Sequence, residues 1–345
     1  MQVAQRGTSS ATNLTGISSP EYRIQDRWNF QGVLNLVGSW TQSHETDAPT
    51  GSGFRNSMKF TCTTSRASLD PASQLIIKQE LEGQDLQRIA KGTSSAQQLT
   101  LTFWVKSNVT GTYIAELYDR DNTRQVSKSY TISASATWEK KTLTFPADTT
   151  GAFDNDNNAS LFVAFYLLAG TNYTSGTLNT SWASVTTANR AVGQTNLAAA
   201  TNNYWQVTGV QLEVGPVATP FEFESYGDTL RKCQRYYTRI TADAATRYFG
   251  WGFAISGTQA TVQGQFPVPM RVRPTAVEQP GTAGDYRLYT PTSYTCSAVP
   301  AFDTSTSAYF YGVTFTIGTN SLTAGGGVSG ASTVANAYLG WSAEL

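Results

Sequence analysis

The chain has 345 residues, and Lys plus Arg equals Asp plus Glu at 24 each, so its formal net charge is zero. Charged residues reach only 14%, where soluble proteins average about 25%. That balance excludes a disordered chain, which needs high net charge, and a non-specific nucleic-acid binder, which needs a basic footprint.

Residues 1–21 are small and polar and read as an extended N-terminal arm. They contain no apolar stretch of the kind a secretory signal needs. The longest apolar run, 161–169, falls far short of the ~20 residues that cross a bilayer. Neither export nor membrane insertion is expected. From Tyr22 the pattern becomes one of strands. Residues 98–106 alternate, with Leu99, Leu101, Phe103 and Val105 on one face and Trp104 on the other. Similar runs occupy 58–62, 75–79, 113–118, 126–132, 138–145 and 161–168, separated by turn clusters, which is the spacing of an antiparallel sandwich. In 204–214 the apolar phase slips by one residue at Gly209, as a β-bulge would make it. Residues 170–203 carry few apolar anchors. They read as a long loop that cannot form its own core.

Tyr226, Leu230, Cys233 and Tyr237 fall on one helical stripe, with Asp228 as a candidate N-cap, so a short linker helix is expected over 226–238. Strand patterns return at 248–255, 258–266, 286–289, 309–317 and 335–343. The expected fold is all-β: an N-terminal sandwich over 22–225, the connecting helix, and a smaller C-terminal β-sandwich over 239–345.

Little here resembles catalytic chemistry. The lone histidine, His44, lies in a polar stretch read as a loop, with no nucleophile elbow nearby. No phosphate-cradling or dinucleotide loop occurs, and no cofactor is expected. Cys62, Cys233 and Cys296 have no metal or disulfide spacing and read as buried thiols in a reducing cytoplasm. Asp154 and Asp156 could contribute oxygens to a Ca²⁺ site, but without EF-hand spacing they read first as a turn. Paired carboxylates such as Glu80/Glu82, Asp119/Asp121 and Glu222/Glu224 keep a glycosidase open.

The opening Met1-Gln-Val-Ala-Gln-Arg-Gly-Thr, followed by Tyr22-Arg-Ile-Gln-Asp-Arg-Trp28, resembles bacteriophage tail-fibre and virion structural proteins. Leu99-Thr-Leu-Thr-Phe-Trp-Val-Lys-Ser107 and Tyr204-Trp-Gln-Val-Thr-Gly-Val-Gln-Leu-Glu-Val-Gly215 are similar to the carbohydrate-binding-module-like jelly rolls of such proteins. So are Ala218-Thr-Pro-Phe-Glu-Phe, Tyr226-Gly-Asp and Cys233-Gln-Arg-Tyr-Tyr237. The resemblance implies a jelly roll, a glycan-facing surface and a homotrimer. It also implies a place in the virion after assembly in the host cytoplasm, with other virion proteins engaged through the arm or the first domain. On this reading the chain is a tail fibre or receptor-binding protein engaging host-surface glycan, and not an enzyme. The alternatives are a purely structural head fibre, decoration or adaptor protein, and a polysaccharide depolymerase.

Ring stacking is the expected way of reading sugar. The candidate rings are Trp104 and Tyr118 in the first domain, and Tyr286, Tyr289 and Tyr294 in the second. The candidate oligomer contacts are Tyr173 and Trp182, inserted from the 170–203 loop into a neighbouring protomer, and the helical stripe Tyr226, Leu230, Cys233 and Tyr237.

Overall fold

The computed structural model describes residues 2–7, 11–14, 21–32 and 37–345. The chain divides into two compact units, Met1–Glu224 with Leu345, and Ser225–Glu344.

The first unit contains, in chain order, β1 (Ala11–Leu14), β2 (Glu21–Tyr22), β3 (Trp28–Gly32), β4 (Ser39–Glu45), β5 (Ser57–Thr64), β6 (Gln74–Glu82), β7 (Leu99–Ser107), β8 (Gly111–Asp119), β9 (Arg124–Ile132), β10 (Glu139–Phe145), β11 (Ala159–Ala169), β12 (Ala183–Ser184) and β13 (Tyr204–Val214). Among the described residues these form a six-stranded sheet, β1-β4-β5-β13-β7-β10, and a seven-stranded sheet, β12-β9-β8-β11-β6-β3-β2. The chain passes repeatedly from one sheet to the other, while β2–β3, β4–β5 and β8–β9 pair as neighbours within one sheet. The alternation in β7 places Leu99, Leu101, Phe103 and Val105 in that core. Phe165 of β11 lies at its centre, with ring centroids 4.9 Å from Phe103 and 5.3 Å from Trp205. The bulge falls where the phase slip places it, between Thr208 and Gln211. Gly209 there has φ +60°, and a Cβ would meet the Phe54 ring at 2.5 Å, so only glycine fits.

Much of the arm expected over residues 1–21 lies outside the described residues. Within them, Val3 is buried and its carbonyl accepts from the Gln25 side chain at 2.6 Å, while β1 pairs with β4. His44 is on β4 rather than in a loop, because its stretch pairs with β5.

The 170–203 segment departs most from expectation. It contains α1 (Thr171–Thr174) and β12, which pairs with β9. Its polar groups satisfy the outer face of the seven-stranded sheet: Gln194 Oε1 accepts from the Ile114 amide at 2.9 Å, and the Asn179 carbonyl accepts from the Ser127 amide at 2.7 Å. Tyr173 packs beside Ile76, Ile114 and Tyr166. The Trp182 indole donates to the Pro146 carbonyl at 2.9 Å. Both rings expected to enter a neighbouring protomer are thus anchored in their own chain. The segment is held by hydrogen bonds to the sheet, which is why its shortage of apolar residues is tolerated.

A buried cation braces the same end of the sandwich. The Lys91 side chain, 2% exposed, places Nζ 2.5 Å from Asp119 Oδ2 and 3.1 Å from Asp148 Oδ2. The Thr150 and Gly151 carbonyls complete the cage at 2.9 and 2.7 Å. Arg124 forks onto Asp148 at 2.8 and 3.0 Å. Burial opposes ionisation of Asp148, but Arg124, the Thr150 amide and Lys91 hold its carboxyl below the ordinary range.

The second unit opens with α2 (Tyr226–Gln234). Its N-cap is Ser225, not Asp228: Ser225 Oγ accepts from the Asp228 amide, and the Asp228 carboxylate accepts the Ser225 hydroxyl at 2.6 Å. The strands are β14 (Tyr237–Thr241), β15 (Tyr248–Ala254), β16 (Gln259–Gln265), β17 (Tyr286–Tyr289), β18 (Ser293–Phe302), β19 (Phe310–Ile317), β20 (Gly327–Ser332) and β21 (Tyr338–Ser342). This smaller β-structure closes into a barrel, β15-β16-β19-β18-β17-β20, beside a β14-β21 pair, and closure leaves the barrel no free edge. The helical stripe is divided: Tyr226 is exposed and Leu230 half-buried, whereas Cys233 is buried and Tyr237, already in β14, is 1% exposed. The three cysteines are buried, and burial pushes the Cys62 thiol up to about 11.

Lys91→Met would leave two buried carboxylates facing each other. Loss of one partner from a buried ionic cluster costs about 3–5 kcal/mol, and a lower urea midpoint of the first unit is the expected result. The carboxyl of Asp148, held low in the native state, contributes stability above its unfolded pKa and loses it as pH falls through the folded value. The gap between variant and wild type should therefore narrow as the pH falls below about 4. An unchanged midpoint would remove the ammonium from its bracing role.

Candidate functional site

The outward-facing residues of the seven-stranded sheet follow from strand periodicity. Phe165 of β11 points into the core, so Phe162, Ala164 and Tyr166 point out. Register then sets Tyr118 opposite Phe162, and Glu116 and Lys78 opposite Ala164 on either side. Tyr118, Phe162 and Lys78, with Gln31, Gln74, Ile76, Glu80, Arg120, Arg190 and Leu345, line a groove of about 540 Å³.

The groove is built from charges held in fixed pairs. Lys78 Nζ is 2.8 Å from Glu80 Oε1, with both side chains buried. Burial pushes the Lys78 ammonium below the usual lysine range, against the pull of Glu80. Arg190, contributed by the 170–203 segment, forks onto Glu116 at 2.8 and 2.7 Å. Burial disfavours its charge, but Glu116 more than offsets this and raises the Arg190 pKa. The Tyr166 hydroxyl donates to Glu116 at 3.2 Å, so that carboxylate, 0% exposed at its side chain, accepts from two residues.

Tyr118 and Phe162 stack at 5.6 Å and 16°. The Arg190 guanidinium lies 5.2 Å from the Tyr118 centroid, and Lys78 Nζ 4.0 Å from the Phe162 centroid. The four side chains form a row, cation–ring–ring–cation. Ring faces are taken up by this row, which corrects the expectation that Tyr118 offers a stacking face. What the groove offers a ligand is chiefly hydrogen-bonding groups.

The other candidates are not brought to this site. Trp104 is half-buried on the outer face of the other sheet, opposite Lys140 and Thr208. In the second unit Tyr286 and Leu288 point into the barrel, and Tyr294 sits opposite Leu288 and packs on the same core. Tyr286 is fully buried and donates to the Tyr338 carbonyl at 2.6 Å, so it is no surface ring. Tyr289 points out, 5.8 Å from Tyr248. The three tyrosines therefore form no common site. Asp154 and Asp156 serve their turn: the Asp156 carboxylate accepts from the Asn158 amide at 2.9 Å, and the Asp154 amide donates to Asp121. Among the described residues no cluster of three metal-ligating side chains occurs.

Sequence reasoning missed Phe162, Arg190, Arg120 and Lys78. Lys78 and Glu80 carried a signal, two opposite charges at i and i+2 inside an otherwise apolar strand. Missed as well is an aromatic face on the barrel. Trp251 (70% exposed) and Phe253 lie on the outside of β15 with exposed Ile255 just past its end, and Tyr309 and Phe310 are exposed where β19 begins.

No protein-family model matches the sequence, and no curated protein matches it. Among solved structures, the chain is similar to the enzymatically active domain of bacteriophage CBA120 tailspike protein 4, with 15% identity, a TM-score of 0.31, and coverage of 55% of this chain and 19% of that one. It is also similar to a family 11 carbohydrate-binding module from Clostridium thermocellum in complex with a β-1,3-1,4-mixed-linked tetrasaccharide, with 11% identity, a TM-score of 0.30, and coverage of 62% and 99%. A putative sugar-binding protein from Bacteroides thetaiotaomicron gives 11% identity, a TM-score of 0.30, and coverage of 59% and 95%.

Arg190→Met should leave Glu116 buried without its cation, at a cost of about 3–5 kcal/mol. Because Arg190 ties the 170–203 segment to the sheet, limited proteolysis should cut that segment faster in the variant than in the wild type. Equal cutting rates would show that the backbone hydrogen bonds alone hold it.

Proposed function

We propose that the first unit binds glycan in the groove of its seven-stranded sheet, and that the chain is a phage virion appendage holding host-surface glycan without cleaving it. The observation that carries this reading is the groove itself: an open surface lined by amide, hydroxyl and charged groups, with Lys78, Glu80 and Arg190 fixed in place by pairing. Such preorganisation suits a ligand covered in hydroxyls, because little side-chain freedom is lost on binding. The virion role is supported by the sequence resemblance of roughly residues 1 to 240 to phage structural proteins. The non-enzymatic reading is supported by Glu80 and Glu116, which are each engaged by a cation. A glycosidase needs one carboxylic acid free to give up its proton and a second free to attack or activate water.

A glycan array of host-surface polysaccharides, followed by calorimetry on the hits, tests the reading. Tyr118→Ala should weaken binding about tenfold or more, the size of one lost side-chain contact with a sugar. No reducing ends should accumulate on prolonged incubation. Absence of any hit would overturn glycan binding, and release of reducing ends would overturn the non-enzymatic part.

The barrel supports a second reading, assembly. The barrel exposes Trp251, Phe253 and Phe310, and these large apolar side chains offer the homotrimer expected from the resemblance a contact surface in place of the 170–203 segment. Light scattering should give a multiple of 37.3 kDa, and Trp251→Ser with Phe310→Ser should shift it toward the single chain. A monodisperse single chain in the wild type would overturn this reading.

A further inference from the structure

Beside its two paired cations the groove has a third, Arg120, and Leu345 lines it as well. Lys78 is balanced by Glu80 at 2.8 Å and Arg190 by Glu116 at 2.7 Å. Arg120, just past the end of β8, also lines the groove. Its backbone amide is used, donating to the Ser160 carbonyl at 2.9 Å. Its side chain is exposed and, among the described residues, makes no ion pair. Asp121, the next acidic residue in the chain, accepts from the Asp154 amide at 3.0 Å. The guanidinium therefore stands at the groove with its donors open and no protein carboxylate committed to it. Its charge reaches the groove floor, where it adds to the forces pushing the Lys78 ammonium toward its neutral form.

We propose that the groove selects an acidic saccharide, one whose sugar carboxylate is taken by Arg120 while its hydroxyls meet the paired groups on the floor. This rests on the glycan-binding reading above and narrows it. Three points carry it. A guanidinium presents two parallel N–H donors that match a carboxylate, so it binds one in a fixed orientation. A carboxylate at Arg120 would also relieve the repulsion among Arg120, Lys78 and Arg190, which a neutral sugar would leave in place. The ring faces of Tyr118 and Phe162 are occupied by one another and by cations, which removes the stacking platform that a neutral sugar ring would use.

The test uses the full chain and paired probes: oligogalacturonate, oligosialate and oligoalginate, each beside its carboxyl-reduced counterpart, measured by calorimetry at low and high salt. The expected result is that at least one acidic probe binds and its reduced form binds at least about tenfold more weakly, as loss of a hydrogen bond to a charged group requires. Arg120→Gln should erase that difference, and Arg120→Lys should keep part of it. Arg120 is exposed, so both variants are expected to fold, and an unchanged melting temperature checks this. Added salt should weaken the acidic probe more than any neutral one. Equal, Tyr118-dependent binding of a probe and its reduced form would overturn the acidic selection while leaving the groove as a glycan site. An acidic preference that survives Arg120→Gln would overturn the role of Arg120. Binding of no saccharide, acidic or neutral, would overturn the glycan reading and this inference with it.

Discussion

The ion pair between Arg190 and Glu116 is the contact on which the groove depends. Glu116 stands on the outer face of β8, in the middle of a sheet, where a lone carboxylate would be costly. Arg190 arrives from a segment with few apolar residues and docks onto it with two hydrogen bonds. The docked segment covers the apolar patch made by Ile76, Ile114 and Tyr166. It leaves the neighbouring stretch of sheet open, and that opening is the groove. Arg190 also closes one end of the cation–ring–ring–cation row, so the same side chain sets the shape of the site and its electrostatics.

A chain so poor in charge places several of its charged residues where water does not reach. Lys91 among Asp119 and Asp148, Lys78 with Glu80, and Arg190 with Glu116 are all buried or nearly so. Buried pairs of this kind contribute little net stability compared with apolar replacements, but each is strongly destabilising when broken. Their effect is to allow one arrangement of loop and sheet. Against that pattern of closed pairs the exposed guanidinium of Arg120 at the groove, in no ion pair among the described residues, is the exception.

The two units manage their surfaces differently. The sandwich covers part of its outer sheet with its own polar segment. The barrel joins all its edges and leaves aromatic side chains outside. The bulge between Tyr248 and Gly250 resets the phase of β15: Phe249 is in the core before it, and beyond it Ala254 faces inward while Trp251 and Phe253 face outward. Large apolar side chains in that position contribute nothing to the barrel's own core, which is the ground for the assembly proposed above.

The all-β class, the sandwich strands and the bulge at Gly209 were legible in the sequence, because period-two alternation and glycine conformation are local properties. Tyr118 was legible as an outward ring by the same logic. Arg190 meets Glu116 across 74 residues, and no local pattern encodes such a pairing. The occupied faces of Tyr118 and Phe162 depend on β8 and β11 being neighbours, which is a matter of strand order. The run 161–168 is apolar on both faces, so its sequence alone does not say which residues face the core. Tyr286 and Tyr289 look alike in sequence, yet one is buried and the other is not, because barrel closure turned one face of β17 inward. Composition and periodicity thus determined what kind of elements form. Which side chains meet was decided by the tertiary structure, since long-range register and loop docking depend on partners far along the chain.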